Sequence, residues 1–314
     1  MPRASVIVPA RDTLQTLPSL LAGLERQVLD GGFEVIVVDN GSRDATAAEA
    51  GRSAVVTRVV VRERGEGPGA ARNAGAAAAT GEVLAFIDAD CVPAPGWLEE
   101  GLSCLRRFHI VQGRVVPDPG ADVGPFDRSL SIGGLHGLFE SANLFVRRDV
   151  FERAGGFPHG LERSGAPFGE DAIFGWRAVR SGATVGFCPT SVVRHAVFRR
   201  GPGEFVAERR RLELFPALAR EAPELRDAMF FRRVFLTRRS AALDLAVLGV
   251  GVSLATRRLL PLVAAAPYAS LVSRQASRWG SRRAPVVAAA ELSADVVGML
   301  ALVRGSLRAR TVVL

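Results

Sequence analysis

The chain has 314 residues, of which 48% are hydrophobic and 23% are charged, and its formal net charge is +8. These proportions are those of a globular protein with one large domain, or one large and one small, and they exclude a disordered chain or a collagen-like repeat. Three unpatterned cysteines, Cys91, Cys104 and Cys188, form no disulfide framework and no CxxC metal site, as is typical of a reducing cytosol. The first apolar run ends at Arg11 and Asp12, too early for a signal peptide, so we expect a cytoplasmic protein.

The positive charge is concentrated towards the end of the chain, and every cationic side chain is Arg because the sequence contains no Lys. Residues 1–193 hold 19 Arg and 23 Asp or Glu, whereas residues 194–314 hold 21 Arg and 9 Asp or Glu. An N-terminal part with a small net negative charge, followed by a basic region, indicates two functions in one chain. We therefore predict one domain over residues 1–225 and a basic, apolar helical region over residues 226–314.

The first ninety residues alternate short apolar runs with segments of helical periodicity. The runs predicted as strands are Ala4–Pro9, Phe33–Asp39, Val55–Arg62 and Val83–Asp88. Leucines at helical spacing follow the first run, and an Ala-rich helix follows the Gly-rich loop at Gly65–Gly69. Repeated β-α-β units predict an α/β fold with a mostly parallel sheet, helices on both faces, and ligands at the carboxyl ends of its strands.

The second half is less regular in its pattern. Residues 109–136 are rich in Gly and Pro and are predicted to be irregular. The later elements predicted are a strand at Ala142–Arg147, a loop at Pro158–Gly169, a helix at Glu170–Ser181, extended pieces at Thr184–Cys188 and Val192–His195, and helices from Glu204 onward.

Three aspartates follow strands of the predicted sheet: Asp39 follows the second, and Asp88 and Asp90 follow the fourth. Two carboxylates two residues apart, just beyond a buried strand, can both reach a hard divalent cation that in turn bridges a diphosphate. Asp is also common in turns after strands, which leaves a purely structural role for Asp39 equally open.

The Gly-rich loop does not match two common nucleotide-binding motifs. Gly67 and Gly69 fit the start of the dinucleotide fingerprint, but its last Gly position holds Arg72. A P-loop requires a Lys, which this chain lacks. Dehydrogenase and P-loop NTPase activities are therefore not supported.

Four segments taken together, residues 5–12, 35–46, 67–90 and 169–182, resemble family 2 glycosyltransferases, which have the GT-A fold, over about residues 4–200. The resemblance implies a Rossmann-like, mostly parallel sheet flanked by helices, here with a C-terminal helical extension. It also implies a set of donor-binding residues: Pro9, Ala10, Arg11, Asp39, Arg72 and Asp88. Asp90 and His195 are implied ligands of Mn²⁺ or Mg²⁺.

Glu170 and Asp171 open a predicted helix, where carboxylates are favourable through the helix dipole. The resemblance assigns these residues to a Glu-Asp motif whose Asp is the catalytic base, so Asp171 would deprotonate an acceptor hydroxyl. Glu170, Asn143 and Trp176 are expected on the acceptor side, although a Trp inside a helix is more often a core residue.

Residues 226–314 carry 14 Arg and 4 Asp or Glu between apolar runs. The run Ala241–Thr256 is too short to span a membrane, and Ala284–Val303 contains Glu291 and Asp295, which are costly in lipid. We expect packed helices whose Arg flanks contact an anionic membrane at the inner face of the cell, or else a soluble appendage or dimer interface. Nucleic acid is not an expected partner because the Arg residues border apolar runs rather than stacking aromatic side chains.

The predicted activity is a metal-dependent, inverting transfer of a sugar from a nucleoside diphosphate sugar, in the first place a UDP-sugar, to a hydroxyl of a glycan, lipid or small molecule. Two alternatives remain open: a sugar-phosphate nucleotidyltransferase, and a non-catalytic nucleotide-sugar-binding or membrane scaffold module.

Overall fold

The structure, a computed structural model, describes residues 2–163 and 166–314. The chain forms two compact units, one made of Met1–Asp122 and Ser129–Val197, the other of Val123–Arg128 and Phe198–Leu314. Residues 198–225, which the sequence analysis places in the first domain, belong to the second unit in this division. The functional division of the chain at residue 225 stays a prediction.

An eight-stranded sheet forms the centre of the first unit. Its strands in chain order are β1 (Ala4–Ala10), β2 (Phe33–Asn40), β3 (Arg58–Arg62), β4 (Val83–Ile87), β5 (Cys91–Pro93), β6 (Ile110–Pro117), β7 (Asn143–Arg147) and β10 (Val185–His195). Their spatial order is β3-β2-β1-β4-β7-β6-β10-β5. The pairs β3–β2, β2–β1, β1–β4 and β6–β10 are parallel, whereas β7 is antiparallel to both neighbours and β5 to β10. The predicted mostly parallel α/β sheet is confirmed.

The helices of this unit cover both faces of the sheet. They are α1 (Leu17–Glu25), α2 (Thr46–Arg52), α3 (Pro68–Ala78), α4 (Trp97–Cys104), α5 (Arg148–Arg153) and α6 (Glu170–Arg180). In β1, Val6 and Val8 pack in an apolar layer with α1 and α4, whereas Ile7 packs in a second layer with α3, α5 and α6. Alternate strand residues thus enter opposite layers, which explains why the strands are continuous apolar runs.

The helix α3 packs closely on the sheet. A Cβ atom at Gly75 would lie 2.5 Å from Cγ2 of Ile7, so only Gly allows this approach of α3 to β1. The first turns of α3 then lie beside the carboxyl ends of β1 and β4. The part of the predicted loop at Pro158–Gly169 that is described contains two short antiparallel strands, β8 (Leu161–Arg163) and β9 (Ala166–Phe168); residues 164 and 165 lie outside the described residues.

Two expectations about this unit are wrong. Residues 109–136 are not irregular throughout, because Ile110–Pro117 forms β6 between β7 and β10. The cysteines are not all free, because Cys104 and Cys188 form a disulfide across 84 residues, while Cys91 is a buried free thiol. The packing of α4 beside β10 brings the two cysteines together, and their spacing in the sequence does not indicate it.

The second unit is helical. Its helices are α7 (Pro202–Glu208), α8 (Phe215–Glu221), α9 (Leu225–Ala228), α10 (Arg238–Thr256), α11 (Ala266–Ser277) and α12 (Ala284–Ala309), with 3-10 turns at Arg209–Leu214 and Leu260–Ala265. By length and composition, α10 with 19 residues and α12 with 26 could each cross a membrane, which corrects the expectation that neither apolar run qualifies. The carboxylates that argued against α12 are paired: Nη2 of Arg239 lies 2.7 Å from Glu291 and 2.6 Å from Asp295.

Candidate active site

A cavity of about 490 Å³ opens at the carboxyl ends of β1 and β4 and the start of α3. Its lining residues are Pro9, Ala10, Arg11, Thr13, Asn40, Gly65, Gly67, Pro68, Arg72, Asp88, Ala89 and Asp90. Every residue predicted to bind the donor is in this set except Asp39. The location is that of ligand clefts in open α/β sheets.

Asp39 is placed away from the cavity lining. Its carboxylate is buried and accepts hydrogen bonds from the backbone N–H of Ser42, at 3.2 Å, and from the Ser42 hydroxyl. The next residue, Asn40, lines the cavity, because successive residues of a strand point to opposite sides. Its amide donates to the carbonyl of Gly67 at 3.1 Å and so holds the Gly-rich loop. Sequence reasoning missed Asn40, although its place at the end of β2 marks it.

Arg72, on α3, lies at the centre of a group of three carboxylates from two other elements. The guanidinium is 2.7 Å from Asp88 at the end of β4, and 3.7 Å and 3.5 Å from Glu170 and Asp171 at the start of α6. Burial acts to lower the pKa of Arg72, but the charges of Asp171, Asp88 and Glu170 outweigh burial and raise it. Arg72 therefore stays charged, and one positive charge faces three carboxylates.

The Asp171 carboxylate is held on its other side by Ser141. The backbone N–H and the hydroxyl of Ser141 both donate to Oδ2 of Asp171, at 3.0 Å and 2.9 Å. Burial raises the pKa of Asp171, while Arg72 and the Ser141 hydrogen bonds oppose the rise without cancelling it. Burial and the neighbouring Asp171 charge also raise the pKa of Glu170. A carboxylate whose pKa is raised is a stronger base, as proton abstraction from a hydroxyl requires.

Asp90 and His195 meet at the junction of β5 and β10. Nε2 of His195 lies 3.5 Å from Oδ2 of Asp90, and Nδ1 lies 2.7 Å from the carbonyl of Ala196. Because a carbonyl oxygen only accepts hydrogen bonds, Nδ1 is the donor to Ala196, and Nε2 is the ring nitrogen that lies near Asp90. An imidazole nitrogen and a carboxylate oxygen at this separation can both reach one divalent cation.

Cys91 contributes the third group near this pair, since its Sγ lies with the Asp90 and His195 atoms within 4.8 Å of one another. The thiol is wholly buried in the apolar layer, and burial raises its pKa. Mg²⁺ and Mn²⁺ prefer oxygen and nitrogen donors to sulfur, so Asp90 and His195 are the candidate ligands. Two protein ligands leave coordination positions for phosphate oxygens and water, which is the usual arrangement for Mg²⁺ with a phosphate substrate.

Two predicted acceptor contacts make hydrogen bonds within the protein. The Asn143 side chain is 0% exposed, accepts from the indole N–H of Trp97 at 2.8 Å and donates to two backbone carbonyls. The indole of the partly buried Trp176 donates to the carbonyl of Gly137 at 2.9 Å and packs edge-on against Phe139. Both side chains position backbone segments through these contacts, and their contact with an acceptor stays a prediction.

Comparisons with known proteins agree with this geometry. The sequence model described as "Glycosyl transferase family 2" matches residues 5–156. Glycosyltransferase AglE of Haloferax volcanii is 31% identical over 179 residues, which are 52% of this chain and 59% of that protein. An uncharacterized glycosyltransferase of Mycobacterium bovis is 31% identical over 198 residues, 58% of this chain and 84% of that protein. The chain spans about half the length of the first curated relatives it matches.

A solved structure shares the fold. Mannosyltransferase PcManGT from Pyrobaculum calidifontis, in complex with GDP-Man and Mn²⁺, aligns with a TM-score of 0.64 at 21% identity, covering 95% of this chain and 87% of that chain. At this identity the likeness establishes the GT-A fold. The family match, the coverage of the mycobacterial relative and the shared fold together show that the chain belongs to glycosyl transferase family 2.

Proposed function

We propose that the chain catalyses metal-dependent, inverting transfer of a sugar from a nucleoside diphosphate sugar to an acceptor hydroxyl. The observation that carries the proposal is the gathering of Asp88, Glu170 and Asp171 around Arg72, at the edge of the cavity that Asp88 and Arg72 line. Such a cavity offers space for a nucleotide next to a carboxylate of raised basicity. The cytosolic location predicted from the sequence is part of this proposal.

In the proposed reaction the acceptor oxygen attacks the anomeric carbon of the sugar. A new carbon–oxygen bond forms as the bond from that carbon to the diphosphate breaks, and the electron pair leaves with the diphosphate. The hydroxyl proton passes to the carboxylate of Asp171, which contributes about 10²–10⁴-fold to the rate. A single displacement inverts the configuration at the anomeric carbon.

Asp90 and His195 would hold the divalent cation, Mn²⁺ or Mg²⁺. When bound, such a cation neutralises the negative charge that develops on the leaving diphosphate. The proposal is supported by the 3.5 Å separation of Nε2 of His195 and Oδ2 of Asp90 and by the Mn²⁺ of the related Pyrobaculum structure. That structure also contains GDP-Man, which supports a nucleoside diphosphate sugar as the donor class. We retain a UDP-sugar as the first donor to test.

The acceptor is proposed only by its chemistry, a hydroxyl of a glycan, a lipid or a small molecule. Membrane contact is a separate part of the proposal and concerns the second unit. In α10 and the following turn, Leu248, Leu254, Leu259 and Leu260 are between 62% and 79% exposed, and Arg257 and Arg258 lie between them. Exposed leucines beside arginines suit the surface of an anionic membrane.

The decisive experiment is a screen of nucleoside diphosphate sugars for hydrolysis and transfer, with Mn²⁺ and with a chelator. Asp171→Asn is expected to lower transfer about 10²–10⁴-fold, and Asp90→Ala is expected to abolish the response to Mn²⁺. Asp149→Asn, an exposed aspartate paired with Arg153 on α5, is the matched control and keeps the wild-type rate.

Transfer at the wild-type rate by Asp171→Asn would overturn the assignment of the base. Release of pyrophosphate from a nucleoside triphosphate and a sugar phosphate would favour a nucleotidyltransferase instead. Donor binding without turnover in any acceptor mixture would favour a non-catalytic binding module.

A further inference from the structure

The proposed base, Asp171, accepts hydrogen bonds from Ser141. Ser141 lies outside the four segments that resemble family 2 glycosyltransferases. Ser141 is 1% exposed and directs two donors, its N–H and its hydroxyl, at the same oxygen of Asp171. Two hydrogen bonds from one residue fix both the position and the rotation of a carboxylate, which a single bond does not. Ser141 is thus the main polar contact of Asp171 on the side opposite Arg72.

The charges around Asp171 explain why such a contact is needed. The groups that face it are Arg72 on α3, Glu170 on α6, Asp88 at the end of β4, and Glu140 just before Ser141. Burial raises the pKa of Glu140 to about 7, and the negative charge of Asp171 adds to the rise. One Arg therefore balances several carboxyl groups, and the ionised form of Asp171 depends on additional hydrogen-bond donors.

The backbone before Ser141 is held by the helix that carries Asp171. Phe139 is a buried non-Gly residue with a positive φ of 54°, a conformation that persists only where the surroundings enforce it. Its ring packs on Gly175 of α6, where a Cβ atom would lie 2.1 Å from the ring. Trp176, also on α6, contacts the same ring edge-on and donates to the carbonyl of Gly137.

These contacts join both ends of the segment 137–141 to α6. Gly175 and Trp176 anchor its first half, and Asp171 receives the two hydrogen bonds from its last residue. Asp171 and the donors of Ser141 therefore belong to one packed substructure, formed by α6 and the segment 137–141, rather than to two independently moving loops. This also gives a role to Trp176, which the sequence analysis placed on the acceptor side.

We propose that Ser141 is a positioning residue that orients the base Asp171 and keeps it ionised for proton abstraction. The proposal rests on the proposed function, because it requires Asp171 to act as the base. Ser141 acts through Asp171 and is neither one of the residues that line the donor cavity nor one of the candidate metal ligands.

Loss of the Ser141 hydroxyl is expected to raise the pKa of Asp171. Ser141→Ala keeps the backbone N–H bond but removes the second donor to the carboxylate. The ionised form of Asp171 is then less favoured, so its pKa rises further and more alkaline conditions are needed for activity. The acidic limb of the pH–kcat profile is expected to move upward by about one pH unit, since a hydrogen bond to a charged group is worth about that much.

The experiment measures kcat and donor KM from pH 5 to 9 for the wild type, Ser141→Ala, Ser141→Thr and Ser191→Ala. Ser191 is a matched control, because its buried hydroxyl donates to the carbonyl of Trp97 at 3.0 Å and not to the site. Glu140 is present in all four proteins, and because its pKa depends on the charge of Asp171, each profile reports the two carboxyl groups together. Binding of the nucleoside diphosphate alone, measured by calorimetry, reports whether each variant is folded.

We expect Ser141→Ala to shift the acidic limb upward, so that kcat falls up to about ten-fold at pH values below the limb and is unchanged well above it, with an unchanged donor KM. Ser141→Thr, which retains the hydroxyl, returns the limb to the wild-type position, and Ser191→Ala leaves it there. An equal loss of kcat at all pH values in Ser141→Ala, or a shift of the same size in Ser191→Ala, overturns the proposal. If Ser141→Thr binds no nucleotide and is therefore not folded, the difference between the pH–kcat profiles of Ser141→Ala and Ser191→Ala still tests the proposal.

The parallel measurement on Asp171→Asn separates the two proposals. Wild-type transfer by Asp171→Asn would contradict the proposed function itself. An inactive Asp171→Asn together with an unshifted Ser141→Ala would contradict only the role of Ser141.

Discussion

At the scale of the residue, Arg72 determines the electrostatics of the candidate site. It is 5% exposed and its two terminal nitrogens face Asp88 on one side and Glu170 and Asp171 on the other. Only a planar, forked cation can contact carboxylates from separate elements at once, whereas the ammonium of Lys is a point charge. The sequence analysis placed Arg72 at the donor, and the structure adds its contact with the proposed base.

Arg72→Lys is therefore expected to lower transfer about ten- to a hundred-fold, although it keeps the charge, because an ammonium cannot keep both the hydrogen bond to Asp88 and the ion pairs with Glu170 and Asp171. The measurement is kcat and KM at neutral pH. Arg148→Lys is the matched control, since Arg148 is also partly buried but donates to the carbonyl of Gly81 rather than to the site. Equal rates for Arg72→Lys and Arg148→Lys would show that the fork geometry is unimportant.

The predicted donor-binding residues that line the cavity and the one that does not differ in a physical way. Asp88, Asp90 and Arg11 follow strands directly, so the topology alone carries them to the cavity. Asp39 is held by Ser42, and its neighbour Asn40 lines the cavity, because successive residues of a strand point to opposite sides; donor binding by Asp39 stays a prediction. Ser141 could not be found, because its partner Asp171 is 30 residues away in the sequence and meets it only through the packing of α6.

At the scale of the element, the strands predicted with the most accurate bounds are buried on both faces. β2 and β4 read as continuous apolar runs and were predicted within a residue or two of their ends. β6 was missed because Gln112, Gly113 and Arg114 interrupt its apolar pattern. Gly113 is required there, since a Cβ atom would lie 2.2 Å from the amide of Asn143. The contact with Asn143 thus requires a Gly in β6, and this Gly interrupts the apolar pattern from which the strand would have been predicted.

Glu34 at the start of β2 joins three elements of the sheet. A single oxygen of its buried carboxylate accepts from the Ser5 hydroxyl at 2.7 Å, from the backbone and hydroxyl of Thr80 at 2.6 Å and 2.7 Å, and from the N–H of Gly81 at 3.2 Å. Burial acts to raise the pKa of Glu34, but these hydrogen bonds outweigh it, and the pKa lies below its ordinary value. The ionised carboxylate therefore stabilises the fold.

Glu34→Gln is expected to lower the free energy of unfolding by about 1–2 kcal/mol at pH 7, because charge-assisted hydrogen bonds become neutral ones. Since the folded pKa is lowered, this stabilisation is present above the unfolded pKa and is lost as the pH falls through the folded value. The difference between the two proteins should therefore close below about pH 4. Denaturant unfolding of wild type, Glu34→Gln and the exposed control Glu82→Gln at several pH values measures it. A difference independent of pH would contradict the charge-based explanation.

At the scale of the whole molecule, the two compact units differ in the surfaces they present. The first unit buries its apolar residues in two layers of one sheet, with few large hydrophobic side chains left exposed. In the second unit, the exposed large hydrophobics are concentrated on α10, α12 and the turn after α10. Contiguous exposed apolar surface of this kind marks a binding surface. Composition alone indicated the basic character of this region but not which leucines are exposed.

The membrane contact proposed for this unit makes a direct prediction. The wild type should float with vesicles that contain phosphatidylglycerol and bind weakly to vesicles of phosphatidylcholine alone, since arginines favour anionic lipids. Leu259→Asp combined with Leu260→Asp should lower vesicle binding at least about a hundred-fold, because each leucine contributes about 1.5–3 kcal/mol when it is buried. Both side chains are 79% exposed, so the change should leave the fold intact.

The matched control is Val28→Asp, which places the same charge at an 81% exposed apolar residue of the first unit. It should bind vesicles as the wild type does. Binding of the double variant at the wild-type level, or a wild type that stays with the soluble fraction at both lipid compositions, would contradict membrane contact by this surface. In that case the exposed leucines would have to be covered by protein, and sedimentation of the same variants would then show a change of oligomeric state instead.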